Sequence, residues 1–455
     1  MQKVMSIERK TAKNSKQIRH AVLQFGIPTI LSLLSTSAYH LADAWFVSKL
    51  DASAGAAIGV AFTLQALFQA IGFTFGTGGG CMVSRSLGAN RPNEASSYAS
   101  CALIGTLATG SAILIAGLFF LDPLVHLLGA GENIFAESRI YIRNLLPASP
   151  FLCGSVALAQ LLRAKGNPWK AAIGFSVGNL LNILLDPLFI FGWNMGIGGA
   201  SLATLFGQAT GFLLLLLLSQ SDRKSHKFFR LRLHGERFWS KEKSLLLCGI
   251  PSLARQGFLA VSALFLNRIA AQEGVDAVAA MSVVNRIFLL GFAFCAGTAQ
   301  GAIPLIGYHF GANQKQSVAS VLRTTLLLSS IFMLLLSLPL LLFTPEIISL
   351  FHKESGIVEI GSRALQAQAA VFPLHGVITC TTLALQAVGR QGRALFLASA
   401  RQGFFLLPLL KWIPAIFGSA YFIYAQPIAD GLTFLLTLPF LLRFLREMTV
   451  NSHIP

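Results

Sequence analysis

Apolar runs of about 20 residues, separated by short polar breaks, fill most of this chain. They predict helices at roughly 24–48, 54–77, 97–120, 138–161, 169–192, 198–219, 244–271, 277–302, 318–343, 361–387, 395–417 and 419–445. No sustained alternation of period two suggests barrel strands. The expected fold is therefore an all-α integral membrane protein of about twelve transmembrane helices in two six-helix pseudo-symmetric lobes. The polar exceptions within the runs are the most informative positions. Asp43 sits in the run 27–50 and Asp186 in the run 169–191. A carboxylate at membrane depth is costly even on lenient insertion scales, so it faces a bundle interior or water-filled cavity and marks an ion or proton pathway.

The pattern also repeats. Gly26-Ile27-Pro28 recurs as Gly249-Ile250-Pro251, an offset of 223 that also links Gly88-Ala89-Asn90 to Gly311-Ala312-Asn313, Pro150 to Pro373, and Ala164 and Gly166 to Ala387 and Gly389. An even number of spans per half makes the halves parallel repeats about an axis along the membrane normal. The expected organisation is an N-lobe over 1–220 that carries the cation site, a basic cytoplasmic loop over 221–243, and a C-lobe over 244–455.

Composition agrees that the solvent is lipid: 54% of residues are hydrophobic, 12% are charged and the mean hydropathy is +0.66. A net charge of +17 raises the question of nucleic acid, and the placement of the basic residues answers it. They gather in the N-terminal tail, in the 221–243 loop and in alternate connectors: Arg85 and Arg91; Arg163, Lys165 and Lys170; Lys315 and Arg323; Arg390, Arg393 and Arg401; Arg443 and Arg446. That is the positive-inside pattern, which puts both termini in the cytoplasm of a multi-pass protein of the cell (inner) membrane and leaves no soluble basic domain for nucleic acid. Arg139, Arg143 and Arg363, near outer span ends, run against the trend without reversing it. The 221–243 loop interleaves its charges with Phe228, Phe229, Phe238 and Trp239, as a segment lying on anionic lipid headgroups would. The first 20 or so residues are mostly polar and the span after them is too long for a signal peptide, so it is expected to remain in the protein.

Depth arithmetic brings the polar positions together. At about 1.5 Å per residue, Asp43 lies about 10 Å below the outer end of the first span and Asp186 about 9 Å below that of the fifth. Thr204 enters the sixth span at similar depth, and Asn182 is one turn from Asp186 on the same face. Two carboxylates, an amide and a hydroxyl are hard oxygen ligands, suited to Na⁺ or, with a shared proton, to H⁺. The repeat supplies a control, because the equivalent positions are Leu266, Phe405, Leu409 and Pro427. Pro28 and Pro187 remove helical hydrogen bonds and permit kinks. Tyr141 is placed either to donate to a carboxylate or to join the aromatic belt. His40, one turn before Asp43, is a candidate for tuning it electrostatically.

The six cysteines are dispersed without metal-ligand spacing and read as buried thiols. Gly76-Thr77-Gly78-Gly79-Gly80 lacks the Lys-Ser/Thr of a P-loop and reads as helix packing or a hinge. Arg255, Arg268 and Arg286, in or near spans seven and eight, and Asp430, in span twelve, have no role assigned by the pattern.

With twelve spans, the paired Gly-Ala-Asn connectors, the stretch Leu41-Ala42-Asp43-Ala44-Trp45-Phe46-Val47 and Asn182-Ile183-Leu184-Leu185-Asp186-Pro187, the whole chain resembles the multidrug and toxic compound extrusion (MATE) family, most closely its DinF-like branch. The resemblance implies a secondary active antiporter that exchanges H⁺ or Na⁺ for amphipathic, often cationic, small molecules. By it, Asp43, Asn182, Asp186 and Thr204 match the N-lobe cation site, while Tyr141 and Pro28 match a nearby tyrosine and a bending proline. It implies no cofactor, no catalytic residue and action as a monomer among membrane lipids. Spans seven to eleven have no carboxylate within their apolar interiors, which disfavours coupling there. The alternative is a flippase or exporter of lipid-linked or polysaccharide precursors, which would line a larger cavity with many basic residues. A membrane-embedded enzyme would want His, Asp or Arg clustered near an interface, and the scattered histidines do not supply this.

Overall fold

A computed structural model describes residues 15–50, 52–221 and 235–450. The described residues are helical and contain twelve helices long and apolar enough to cross a membrane. In order these are Lys16–Val47, Ser53–Gly88, Pro92–Phe119, Glu132–Ala164, Pro168–Gly192, Gly196–Gln220, Phe238–Glu273, Val275–Gly311, Lys315–Leu342, Ser355–Ala387, Gln391–Phe417 and Ser419–Thr449. They are numbered below as the first to twelfth spans. Each matches one predicted run, and several extend well beyond it. Apolar runs mark only the part of a helix solvated by lipid, whereas the backbone ladder continues through flanking polar residues. The seventh span illustrates this: its helix begins at Gly235, so Phe238, Trp239 and Lys241 are helical where the sequence suggested loop. The rest of the expected loop, 222–234, lies outside the described residues.

The repeat is written into the backbone. Asn90 and Asn313 both take φ of 59°, and Gly166 and Gly389 take 90° and 89°. At each of these four points a helix ends with its next N–H reaching five residues back: Arg91 to Ser86 O and Gln314 to His309 O, then Asn167 to Leu162 O and Arg390 to Leu385 O, at 2.8 to 2.9 Å. This left-handed cap satisfies carbonyls at the helix end and suits Gly or Asn, which is why those types recur 223 residues apart.

The chain forms two compact units, one of residues 31–256 and the other of 15–30 with 257–450 among those described. The boundaries cross the first span just after Pro28 and the seventh just after Pro251. Repeat-related glycines build the packing beside both points. In the first unit a Cβ on Gly78 would strike the backbone of Leu245 and Gly249; in the second a Cβ on Gly301 would come within 2.8 Å of Gly26. The Gly76–Gly80 stretch is thus a packing surface, with Gly76 against Ala157 and Gly79 against Ala102. All six cysteines are buried thiols, and none forms a disulfide.

Candidate cation site in the first unit

Asp43 and Asp186 are both enclosed, at 2% and 0% exposure, in a chain segment built almost wholly of apolar side chains. The first, fourth, fifth and sixth spans supply the surrounding groups. Tyr141, from the fourth, is fully buried and donates its hydroxyl to Asp43 Oδ2 at 3.1 Å. Asn182 Nδ2 donates to Thr204 Oγ1 at 3.1 Å, tying the fifth span to the sixth. Asp43 and Asp186 lie within Coulombic range of each other, and Tyr39 within range of both.

What the carboxylates lack defines the chemistry. Among the described residues neither forms an ion pair, and Asp43 Oδ1, both Asp186 oxygens and Asn182 Oδ1 accept no hydrogen bond from the protein. A buried anion is tolerated only when it is paired, coordinated or protonated. Unpaired oxygens from two acids, with an amide oxygen beside them, fit a hard monovalent cation or protons. Among the described residues no group of three or more His, Cys, Asp or Glu is placed to hold a metal ion.

The other predicted residues divide. His40 is half-buried and turns to Gln69 of the second span, Nε2 to Nε2 at 3.2 Å, with its ring edge-on to Phe62; among the described residues it forms no hydrogen bond or ion pair with Asp43. Pro28 lies within the continuous helix Ser15–Val47, fifteen positions before Asp43 and in the other unit. Pro187 ends the regular part of the fifth span, and a wider π turn, Leu188–Gly192, follows.

Several participants were not singled out from the sequence. Tyr39 donates to Gln65 Oε1 at 3.3 Å. Asn179 Nδ2 reaches Ser35 Oγ at 3.0 Å and Thr36 Oγ1 at 3.2 Å, Ser176 bonds Ser35, and Gln208 Nε2 reaches Asn179 Oδ1 at 3.5 Å. The signal was present as polar residues at helical spacing: Thr36, Tyr39 and Asp43 on the first span, Asn179, Asn182 and Asp186 on the fifth, Thr204 and Gln208 on the sixth. Glycines allow the fifth and sixth spans to meet this closely. A Cβ on Gly178 would lie 2.7 Å from Gly207 O, and one on Gly207 would lie 2.9 Å from Asn182 Cβ.

Twelve helices long and apolar enough to cross a membrane among the described residues, built as a doubled six-helix plan with an acidic pair that lacks ion-pair partners inside one unit, define the class as a repeat-built membrane transporter. The MatE family model matches residues 28–188 and 251–410, two stretches starting 223 residues apart, and the chain belongs to that family of transporters, which are not enzymes. The multidrug export protein MepA of Staphylococcus aureus is 26% identical over 435 residues, 95% of each chain, and a MepA of Staphylococcus saprophyticus is 26% identical over 417 residues, 90% of each. Among solved structures, a MATE protein in complex with MaL6 superposes with a TM-score of 0.89 at 23% identity, covering 95% of this chain and 97% of the other. A mutant of the Vibrio cholerae MATE transporter VcmN gives 0.88 at 21%, covering 95% and 98%.

Proposed function

We propose that the protein is a secondary active multidrug exporter of the cell membrane, acting as a monomer and exchanging H⁺ or Na⁺ for amphipathic, often cationic, small molecules. The observation that carries this reading is the buried pair Asp43 and Asp186 without a basic partner among the described residues. The name of the staphylococcal relatives supports the substrate class. Asp43, Asn182, Asp186 and Thr204 would hold Na⁺, or the two acids would carry protons, so that cation occupancy sets the charge of the site. Loading neutralises carboxylates that are costly to leave bare, and a conformation that opens the site to one side only converts that free energy into direction. Pro28, which cannot donate a helical hydrogen bond, is the pivot this reading assigns to the first span. Coupling from the first half agrees with the DinF-like branch, and the basic connectors agree with cytoplasmic termini.

The test is efflux of tetraphenylphosphonium from proteoliposomes under imposed Na⁺ and H⁺ gradients in turn. One gradient should drive efflux by wild type and fail to drive it in Asp43→Asn. Efflux indifferent to both gradients would refute antiport, and movement of a lipid-linked precursor instead would favour the flippase alternative.

A further inference from the structure

Asp430, left without a role by the sequence pattern, is the centre of a second buried polar cluster that lies entirely within the other unit. Its Oδ1 accepts from Arg401 Nε at 2.7 Å and Gln426 Nε2 at 2.9 Å, and its Oδ2 from Gln368 Nε2 at 3.0 Å. The sequence groups Arg401 with the basic residues of an inner connector, although it also falls within the predicted helix 395–417. The structure puts it well inside the eleventh span, in a π turn over Ala400–Phe405, where pairing with Asp430 removes the penalty that would drive an arginine to the interface. Its guanidinium lies over the rings of Phe288 and Phe292, 5.2 and 5.8 Å from their centroids.

His375 completes the cluster. It is fully buried, its Nε2 is 3.2 Å from Asp430 Oδ2 but out of hydrogen-bonding alignment, and its Nδ1 has no partner among the described residues. Asp430, on the twelfth span, and Arg401, on the eleventh, are the charged groups acting on the ring. The eighth span contributes the faces of Phe288 and Phe292, the tenth Phe372, and the ninth neutral Ser329 and Ser330 beside Gly376.

We propose that His375 is a proton-binding site of the second unit, with Asp430 and Arg401 as the fixed charges against which the proton is taken up and released. The Asp430–Arg401 pair is neutral by itself, so a neutral imidazole leaves the cluster neutral and a protonated one makes it singly positive. Three spans change their mutual electrostatics with one proton. The ligand is H⁺ and the site is independent of Asp43. The repeat underlines that this is an addition: Arg401 and Asp430 stand at the equivalents of Gly178 and Gly207, where the first unit has bare backbone contact. One unit joins its fifth and sixth spans by glycines, and the other joins its eleventh and twelfth by an ion pair with a titratable neighbour.

The test reads the proton itself and does not depend on the export reading. Full-length protein carrying ring-labelled histidine is titrated by NMR from about pH 5 to about pH 9. The His375 resonance is assigned by its loss in His375→Gln. It should move along a titration curve that Asp430→Asn displaces by about one pH unit and Asp43→Asn leaves in place. If Asp430→Asn does not fold, Asp430→Glu keeps the charge, repositions it, and should displace the curve by less. A resonance fixed across the whole range, or a curve displaced as much by Asp43→Asn, overturns the proposal.

Discussion

Asp43 and Asp186 are both carboxylates in apolar surroundings, but Asp43 has one hydrogen bond from Tyr141 and Asp186 has none from the protein. Removing the Tyr141 hydroxyl should therefore be felt through Asp43. In Tyr141→Phe, cation-driven efflux is expected to fall by roughly tenfold, the order of a hydrogen bond to a charged group, and less than in Asp43→Asn; a Tyr141→Phe loss that persists in the Asp43→Asn background would separate Tyr141 from Asp43. Glu132→Gln, in an exposed helical turn at the start of the fourth span, should leave efflux near wild type. If Asp43 and Asp186 serve one site, Asp43→Asn with Asp186→Asn should cost little more than the worse single change, measured as the rate of gradient-driven efflux. Additive losses would assign them separate duties. The sequence made these four polar residues legible because an acid, amide or hydroxyl in a lipid-solvated helix stands out against its background. It did not reveal that His40 turns to Gln69, since two residues one turn apart share a face without sharing a direction.

The contact between the fifth and sixth spans sets the separation of Asn182 from Thr204, and Gly178 and Gly207 set the contact. Gly207→Ala places a methyl against Gly178 O and Asn182 Cβ, so it should destabilise by ~1–3 kcal/mol and weaken cation dependence together. Thermal unfolding in detergent and Na⁺- or H⁺-driven efflux check the two effects. Leu409→Ala, at the repeat equivalent of Asp186, should lose packing while leaving the cation dependence unchanged. Helix existence and order could be read from apolar runs, but helix ends could not. The Schellman-type ends at Asn90 and Asn313 show why: a left-handed residue terminates the helix wherever the backbone allows it, well past the ends of the predicted runs at 77 and 302. Arg401 was counted with the connector charges for a related reason, because a basic residue in the first turns of a span looks like part of the connector until its buried partner is known.

For the molecule as a whole, the orientation argued from basic residues predicts that single cysteines in the 221–243 loop react only with reagents on the cytoplasmic side. Cysteines replacing Glu132 or Lys353 should react only from outside. Labelling of the central loop from outside would reverse the direction of access to Asp43. The two-fold plan was visible in four short anchors because the turns demand particular residue types, whereas the distribution of residues between the compact units was not. That distribution depends on which faces meet in space, and no periodicity along the chain encodes it.

The crossing of the two units within the first and seventh spans bears on how the protein can be divided. A fragment ending at residue 220 keeps 15–30, which belongs with the second unit, and lacks 244–256, which belongs with the first. Each half is thus missing a piece that only the other supplies, with Gly78 deprived of Leu245 and Gly249 in one fragment and Gly301 deprived of Gly26 in the other. Made alone, fragments 1–220 and 221–455 should be cleared by cellular proteolysis. Produced together from separate genes, they should protect each other and restore efflux, so that a cut in the central loop is tolerated although neither product is a self-sufficient protein.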